Sequence, residues 1–184
     1  MQPSGKRQPV VFLDRDGVLN QSLVLEGKPY SPRKIEDVVI LEGAKEAVSL
    51  LHENGFVTVV ITNQPDVARG DLSSNLLSEI HHSISKKVGV EHFYSCEHDD
   101  QDDCECRKPN IGLFKKAIQE LDLDASNSFM VGDRWKDIEA GQRAGCTCFF
   151  IDNNYSEKRP TPPFYTVTSV LEAAKIIVEG SNVE

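Results

Sequence analysis

The sequence predicts an α/β fold, a three-layer Rossmann-like parallel sheet covered by helices on both faces. Two observations carry that reading: short β-branched and aromatic runs alternate with stretches of helical spacing along the whole chain, and several of those runs end in Asp, Thr or Asn. Residues 9–14 (PVVFLD) form the first buried strand, closed by acidic groups. Residues 20–42 carry Gly27, Pro29 and Pro32 with no sustained period. In 43–55, Ala44, Ala47, Val48, Leu50 and Leu51 fall on one helical face that stops at Gly55. A second β-branched run follows at 56–62, then a helical stretch near 72–87 and a strand-like segment at 91–95. Helical spacing returns at 110–121, a strand at 128–133, a helix at 136–145, a strand at 146–152 and a last helix near 168–179. The proline-rich 158–164 is expected to be a surface loop.

At 184 residues the chain is the size of one domain, 1–184, and can bury a core without disulfides. Its 39% hydrophobic and 27% charged composition is that of a soluble protein, with no run long enough to span a bilayer. The polar start MQPSGKRQ does not read as a secretory leader, so a cytoplasmic protein with reduced cysteines is expected, acting as a monomer. A net charge of -9 argues against nucleic acid as a partner. Six of the 29 acidic residues lie between Glu97 and Cys106, a run expected to be solvated.

In an open parallel sheet the carboxyl ends of the strands converge on one crevice. Asp14 and Asp16, Thr62 and Asn63, and Asp133 stand at such ends, and Lys108 precedes a helix that could bring it there. These are the parts that attack on a phosphate monoester needs: a nucleophile, carboxylates for a divalent cation, and donors for the phosphoryl oxygens. Asp16, beside the turn-permitting Gly17, is suited to move protons to and from the leaving group and water.

DRDGVLN, ITNQ, RKP and GDRWKD, in that order, resemble the four signature motifs of the haloacid dehalogenase phosphatase superfamily, over residues 10 to about 152. The resemblance implies an aspartyl-phosphate on Asp14, acid and base work by Asp16, phosphoryl binding by Thr62 and Lys108, and a magnesium site of Asp14, Asp133 and the Asp16 carbonyl. Asp137 reads equally as a group facing that metal and as a cap on the helix N-terminus. Too little chain separates the motifs for a large cap domain, so an open site is expected.

Cys96, His98, Cys104 and Cys106 supply three thiolates and one imidazole within eleven residues, a set that closes a tetrahedral zinc shell and would stabilise the loop they sit on. Asp99, Asp100, Asp102 and Asp103 are expected to be solvated, and Cys146 and Cys148 to be small core residues on one strand face. The zinc loop directly before RKP resembles the histidinol-phosphatase-like group. That implies a sugar bisphosphate, a heptose losing its 7-phosphate, held by Tyr30, Asn63, Gln64, Pro65, Arg107 and Arg134. Where the group commonly has TNQSG this chain has Thr62-Asn63-Gln64-Pro65-Asp66, and its 20–30 loop is longer, both bearing on the substrate. Histidinol phosphate is the alternative, with the acidic loop meeting its cationic groups. A non-catalytic phospho-ligand module would have no need of both Asp14 and Asp16.

Overall fold

A computed structural model describes residues 7–181. Most of the stretch read as lacking a leader lies outside the described residues. Strand β1 (Gln8–Leu13) carries apolar side chains on both faces, as a strand covered on two sides must. Val11 and Leu13 enter one core while Val10 and Phe12 enter another on the opposite side. A hairpin of β2 (Leu23–Leu25) and β3 (Lys28–Tyr30) precedes helix α1 (Ala44–Glu53). The chain continues through β4 (Val57–Asn63), α2 (Ser74–Val88), β5 (His92–Cys96), α3 (Gly112–Glu120) and β6 (Leu123–Gly132). It ends with α4 (Trp135–Arg143), β7 (Thr147–Ile151), β8 (Tyr165–Val167) and α5 (Val170–Ser181).

The six-stranded sheet runs β5-β4-β1-β6-β7-β8, with every neighbouring pair parallel. The chain starts in the middle at β1, moves outward to β4 and β5, then crosses back to place β6 on the other side of β1. That reversal opens the crevice above the carboxyl end of β1. Helices α1, α2 and α5 pack on one face through Ala47, Leu51, Leu77, Ile84 and Ile177. Helices α3 and α4 cover the other through Phe114, Ala117 and Ile138. The three-layer parallel fold expected from the sequence is the one observed, and nothing larger than the hairpin and a short 3-10 turn is inserted between β1 and α1.

Three elements differ from expectation. The β2–β3 hairpin forms inside a stretch read as irregular: Leu23, Val24 and Leu25 are all exposed, so its strands lack the alternation that marks a half-buried sheet. Strand β8 is a three-residue edge strand beyond the proline-rich loop. Strand β6 begins at Leu123, well before 128, with a register shift opposite Pro9 and Val10. Among the described residues no helix is long and apolar enough to cross a membrane.

Phe114 is fully buried and meets Phe12 with ring centroids 4.8 Å apart, joining α3 to the central strand. Phe114→Ala is expected to cost about 3–5 kcal/mol of stability. A loss below about 1 kcal/mol in urea unfolding would show that α3 is not held to the sheet by this contact.

Candidate active site

Four strand or loop ends deliver the predicted groups to one place. Asp14 leaves β1, Thr62 and Asn63 close β4, Asp133 follows β6, and Lys108 reaches up from the loop before α3. The Lys108 ammonium is nearly fully buried, with Nζ 2.7 Å from Asp14 Oδ1, 2.7 Å from Asp137 Oδ1 and donating to the Ile61 carbonyl at 2.6 Å. Its backbone is held by a reciprocal amide pair: Lys108 N–H donates to Asn63 Oδ1 at 3.0 Å, and Asn63 Nδ2 donates to the Lys108 carbonyl at 3.1 Å. Nothing among the described residues donates to the second Asp14 oxygen, so one carboxylate oxygen is fixed and the other is free to react.

Asp133 accepts from Tyr155 Oη at 2.7 Å and Asn153 Nδ2 at 3.0 Å through Oδ2, while its Oδ1 is buried without a partner. Burial, reinforced by Asp14 and Asp137, holds Asp133 well above the usual carboxylate range. Burial and Asp137, working against Lys108, push Asp14 up to about 7. Asp14, Asp133 and Asp137 each offer an oxygen within 4.8 Å of the others. An oxygen-rich, crowded and underneutralised group of this kind fits a divalent cation such as magnesium. Asp137 caps the start of α4, Oδ2 accepting from the Asp133 and Arg134 amides, while its Oδ1 pairs with Lys108.

Asp16 is placed differently from Asp14. Despite burial, Arg15 and three hydrogen bonds hold its carboxyl below the ordinary value. The fully buried Arg15 grips both oxygens at 3.0 Å, Asn20 Nδ2 donates to Oδ1 at 2.9 Å, and Ser31 Oγ and Gln64 Nε2 donate to Oδ2 at 2.7 and 3.0 Å. With its side chain tied here, Asp16 has its backbone carbonyl left to offer a metal. Gly17 makes the turn possible: it has φ 81°, and a Cβ there would lie 1.7 Å from Asp133 Oδ2.

The cleft has two connected parts. An inner pocket of about 50 Å³ is lined by Asp14, Asp16, Thr62, Lys108 and Asp137. An outer cavity of about 430 Å³ is lined by Tyr30, Asn63, Pro65, Arg107, Arg134 and Lys136. Gln64, expected at the substrate, is instead fully buried behind the wall, with Nε2 donating to Asp16 Oδ2 at 3.0 Å and to Thr62 Oγ1 at 2.9 Å, so it braces those two side chains. Arg134 is paired with Glu157 at 3.0 and 2.5 Å.

Sequence reasoning missed Ser31, Lys136, Asn153 and Tyr155. Asn153 and Tyr155 follow β7, and the convergence of strand ends that identified Asp133 applied to them too. Ser31 had no such signal, because it depends on the unread hairpin.

Beside the cleft, Cys96, His98, Cys104 and Cys106 form a compact cluster. Cys96 Sγ lies 3.6 Å from Cys104 Sγ and 3.2 Å from Cys106 Sγ, and His98 Nδ1 lies 3.2 Å from Cys106 Sγ. Tetrahedral zinc with bonds of about 2.3 Å sets sulfurs roughly 3.8 Å apart, so the cluster needs only slight expansion to hold it. The acidic loop is not simply solvated. Asp99 pairs with Arg69 at 2.7 Å, and Asp100 pairs with Arg107 and Lys136. Cys148 is a buried core residue as expected, whereas Cys146 lies just before β7 and is half-buried against the same core.

Residues 20–145 match the haloacid dehalogenase-like hydrolase family. A D-glycero-beta-D-manno-heptose-1,7-bisphosphate 7-phosphatase of Haemophilus ducreyi is 35% identical over 73% of this chain and 78% of its own length. A D-glycero-alpha-D-manno-heptose-1,7-bisphosphate 7-phosphatase of Photorhabdus laumondii is 30% identical over 91% of this chain and 96% of its own. The crystal structure of a D,D-heptose 1,7-bisphosphate phosphatase from B. bronchiseptica, complexed with magnesium and phosphate, superposes with a TM-score of 0.82 at 24% identity, covering 94% of this chain and 99% of that one.

Gly17→Ala is expected to lower kcat by about 100-fold, since a displacement near 1 Å in a reacting group has that effect. The far-ultraviolet circular dichroism should be unchanged. Wild-type turnover in a folded Gly17→Ala protein would mean that the contact with Asp133 is not needed.

Proposed function

This chain belongs to the haloacid dehalogenase-like hydrolase family, and from that premise we propose that it removes the 7-phosphate of D-glycero-D-manno-heptose 1,7-bisphosphate. The observation that carries the reaction is the Asp14 carboxylate, with one oxygen fixed by Lys108 and the other free toward the inner pocket. The free oxygen attacks phosphorus, the bond to the sugar oxygen breaks, and an aspartyl-phosphate forms on Asp14. Lys108 offsets charge on the nucleophile, and Thr62 lines the pocket where the phosphoryl oxygens would lie. Asp14, Asp133 and the Asp16 carbonyl would hold magnesium, which supplies charge neutralisation for carboxylates and phosphate when bound.

Asp16, ionised and held by four residues, is set to accept a proton from the water that hydrolyses the aspartyl-phosphate, releasing inorganic phosphate. The same carboxyl, protonated in the substrate complex, would protonate the departing sugar oxygen; this requires it to loosen its grip on Arg15. Five unpaired cysteines support a reducing, cytoplasmic setting. The four-residue Cys and His cluster supports a structural zinc with no open position.

The names of the relatives and the cations of the outer cavity favour the sugar bisphosphate. For histidinol phosphate the cleft would need spare carboxylates. Around the outer cavity Asp66 is taken by Arg33, Asp100 by Arg107 and Lys136, and Glu157 by Arg134.

With magnesium present, kcat/KM for heptose 1,7-bisphosphate is expected to exceed that for histidinol phosphate by at least about tenfold. The reverse order would overturn the substrate assignment and leave the chemistry standing. Asp14→Asn should abolish turnover with the fold intact, and residual phosphatase activity in that variant would remove Asp14 as the nucleophile. Protein purified under reducing conditions should carry one zinc per chain, and Cys104→Ser should lower its melting temperature while leaving the magnesium requirement in place. Metal analysis finding no zinc would exclude that site.

A further inference from the structure

Of the five cations lining the outer cavity, four are matched by a carboxylate and the exposed Lys28 has no ion pair among the described residues; the matching of the four is uneven. Arg134 has Glu157, and Arg69 has Asp99. Arg107 and Lys136 share one partner: Asp100 Oδ1 lies 2.7 Å from Arg107 Nε and 3.2 Å from Lys136 Nζ. Two positive charges against one negative leave a net positive charge at this point of the wall, where a second anion on the substrate can be held from two sides.

We propose that Asp100 is a specificity-determining residue, its carboxylate occupying the place of the substrate's second anionic group between Arg107 and Lys136 and swinging aside when that group binds. The inference rests on the sugar bisphosphate reading and adds to it a residue that competes with the substrate. Asp100 is suited to leave. Its side chain is 61% exposed, so water can take over its hydrogen bonds, and an exposed ion pair is weakly held.

The backbone beneath it stays put. The Asp99 carboxylate accepts from the Asp100 amide at 2.7 Å, the Asp102 carboxylate accepts from the Asp99 amide at 2.7 Å, and Arg69 grips Asp99 with two bonds of 2.7 Å. Both cations also keep other contacts once Asp100 departs. Arg107 donates to the His98 carbonyl at 3.3 Å, and Lys136 Nζ lies 5.7 Å from the centre of the Trp135 ring. The result is a rim that offers little to a monophosphate, whose single phosphate sits in the inner pocket, and a site for a bisphosphate, whose second phosphate can displace the carboxylate.

Removing the mask should strengthen binding of doubly phosphorylated sugars only. In Asp100→Ala, KM for heptose 1,7-bisphosphate is expected to fall by roughly threefold, the scale of one exposed ion pair. Glucose 1,6-bisphosphate should inhibit aryl phosphate hydrolysis more tightly by a similar factor, and inhibition by glucose 6-phosphate should not change. Asp103→Asn is the control: it removes the same charge from the same loop, at a residue that pairs with neither cation, and asparagine tolerates its left-handed backbone (φ 44°). An unchanged or raised KM and inhibition constant for the bisphosphates in Asp100→Ala would overturn the proposal, as would an equal gain in Asp103→Asn. If wild-type protein does not hydrolyse the heptose, the sugar assignment fails separately, because the inhibition pair still reads whether Asp100 competes with a second phosphate.

Discussion

The Lys108 ammonium, out of water between Asp14 and Asp137, is the interaction on which the architecture of the cleft depends. Three buried carboxylates, Asp14, Asp133 and Asp137, face one buried ammonium, a formal excess of two negative charges when all are ionised. Burying charge is costly unless it is paired, and a partly compensated cluster is tolerated only where the surroundings over-determine it. Here the surroundings do so. The Ile61 carbonyl and the Asn63 side chain hold the lysine from β4, the Asp133 and Arg134 amides just before α4 hold Asp137, and Tyr155 and Asn153 hold Asp133. Each restraint comes from a different strand end, so the parallel sheet is the device that brings them into register. The residual negative charge is in turn what gives the site a use for a divalent cation.

The loops around that centre stand where a cap would otherwise be. The β2–β3 hairpin sends Tyr30 to the cavity wall and Ser31 to Asp16, and the Cys and His cluster sets the backbone from which Arg107 and Lys108 project. The unusual Pro65-Asp66 pair has a structural reading. The buried Asp66 carboxylate accepts from Arg33 Nε at 2.8 Å and so ties the segment after the hairpin to the turn after β4, while its backbone carbonyl accepts from the Asp71 and Leu72 amides within that turn. Pro65 and Asp66 both line the outer cavity, and the Asp66 carboxylate adds the Arg33 tie on that wall.

The strand ends were legible in the sequence because their signal is local: an apolar run that stops at Asp14, Thr62 or Asp133 needs no knowledge of partners. The cysteine cluster was legible for the same reason, its ligands lying within one loop. What escaped was what depends on distant partners. Gln64 sits between two pocket residues in sequence, yet its side chain turns inward because Asp16 and Thr62, brought by separate strands, both need a donor there. The acidic loop read as solvated because two of its cations are distant in sequence: Arg69, which pairs with Asp99, and Lys136, which α4 brings to Asp100. The hairpin and β8 are three-residue strands whose pairing, not their pattern, makes them strands.

Chemistry and selectivity therefore rest on different parts of the chain. Asp14, Thr62, Lys108 and Asp133 stand on or beside buried strands, where moving one disturbs the core and the charge balance together. Tyr30, Arg107, Lys136 and Asp100 stand on a hairpin, a loop and the outer turn of a helix, with more water around them and fewer packing constraints. On the sugar bisphosphate reading, a change at these rim residues would alter which group is accommodated beyond the phosphate and leave the attack on phosphorus intact. The departures of this chain from its group, at 20–30 and at Pro65-Asp66, lie in or next to this outer set. The motif residues are thus fixed by the packing of the sheet, while the rim is free to vary with the molecule it meets.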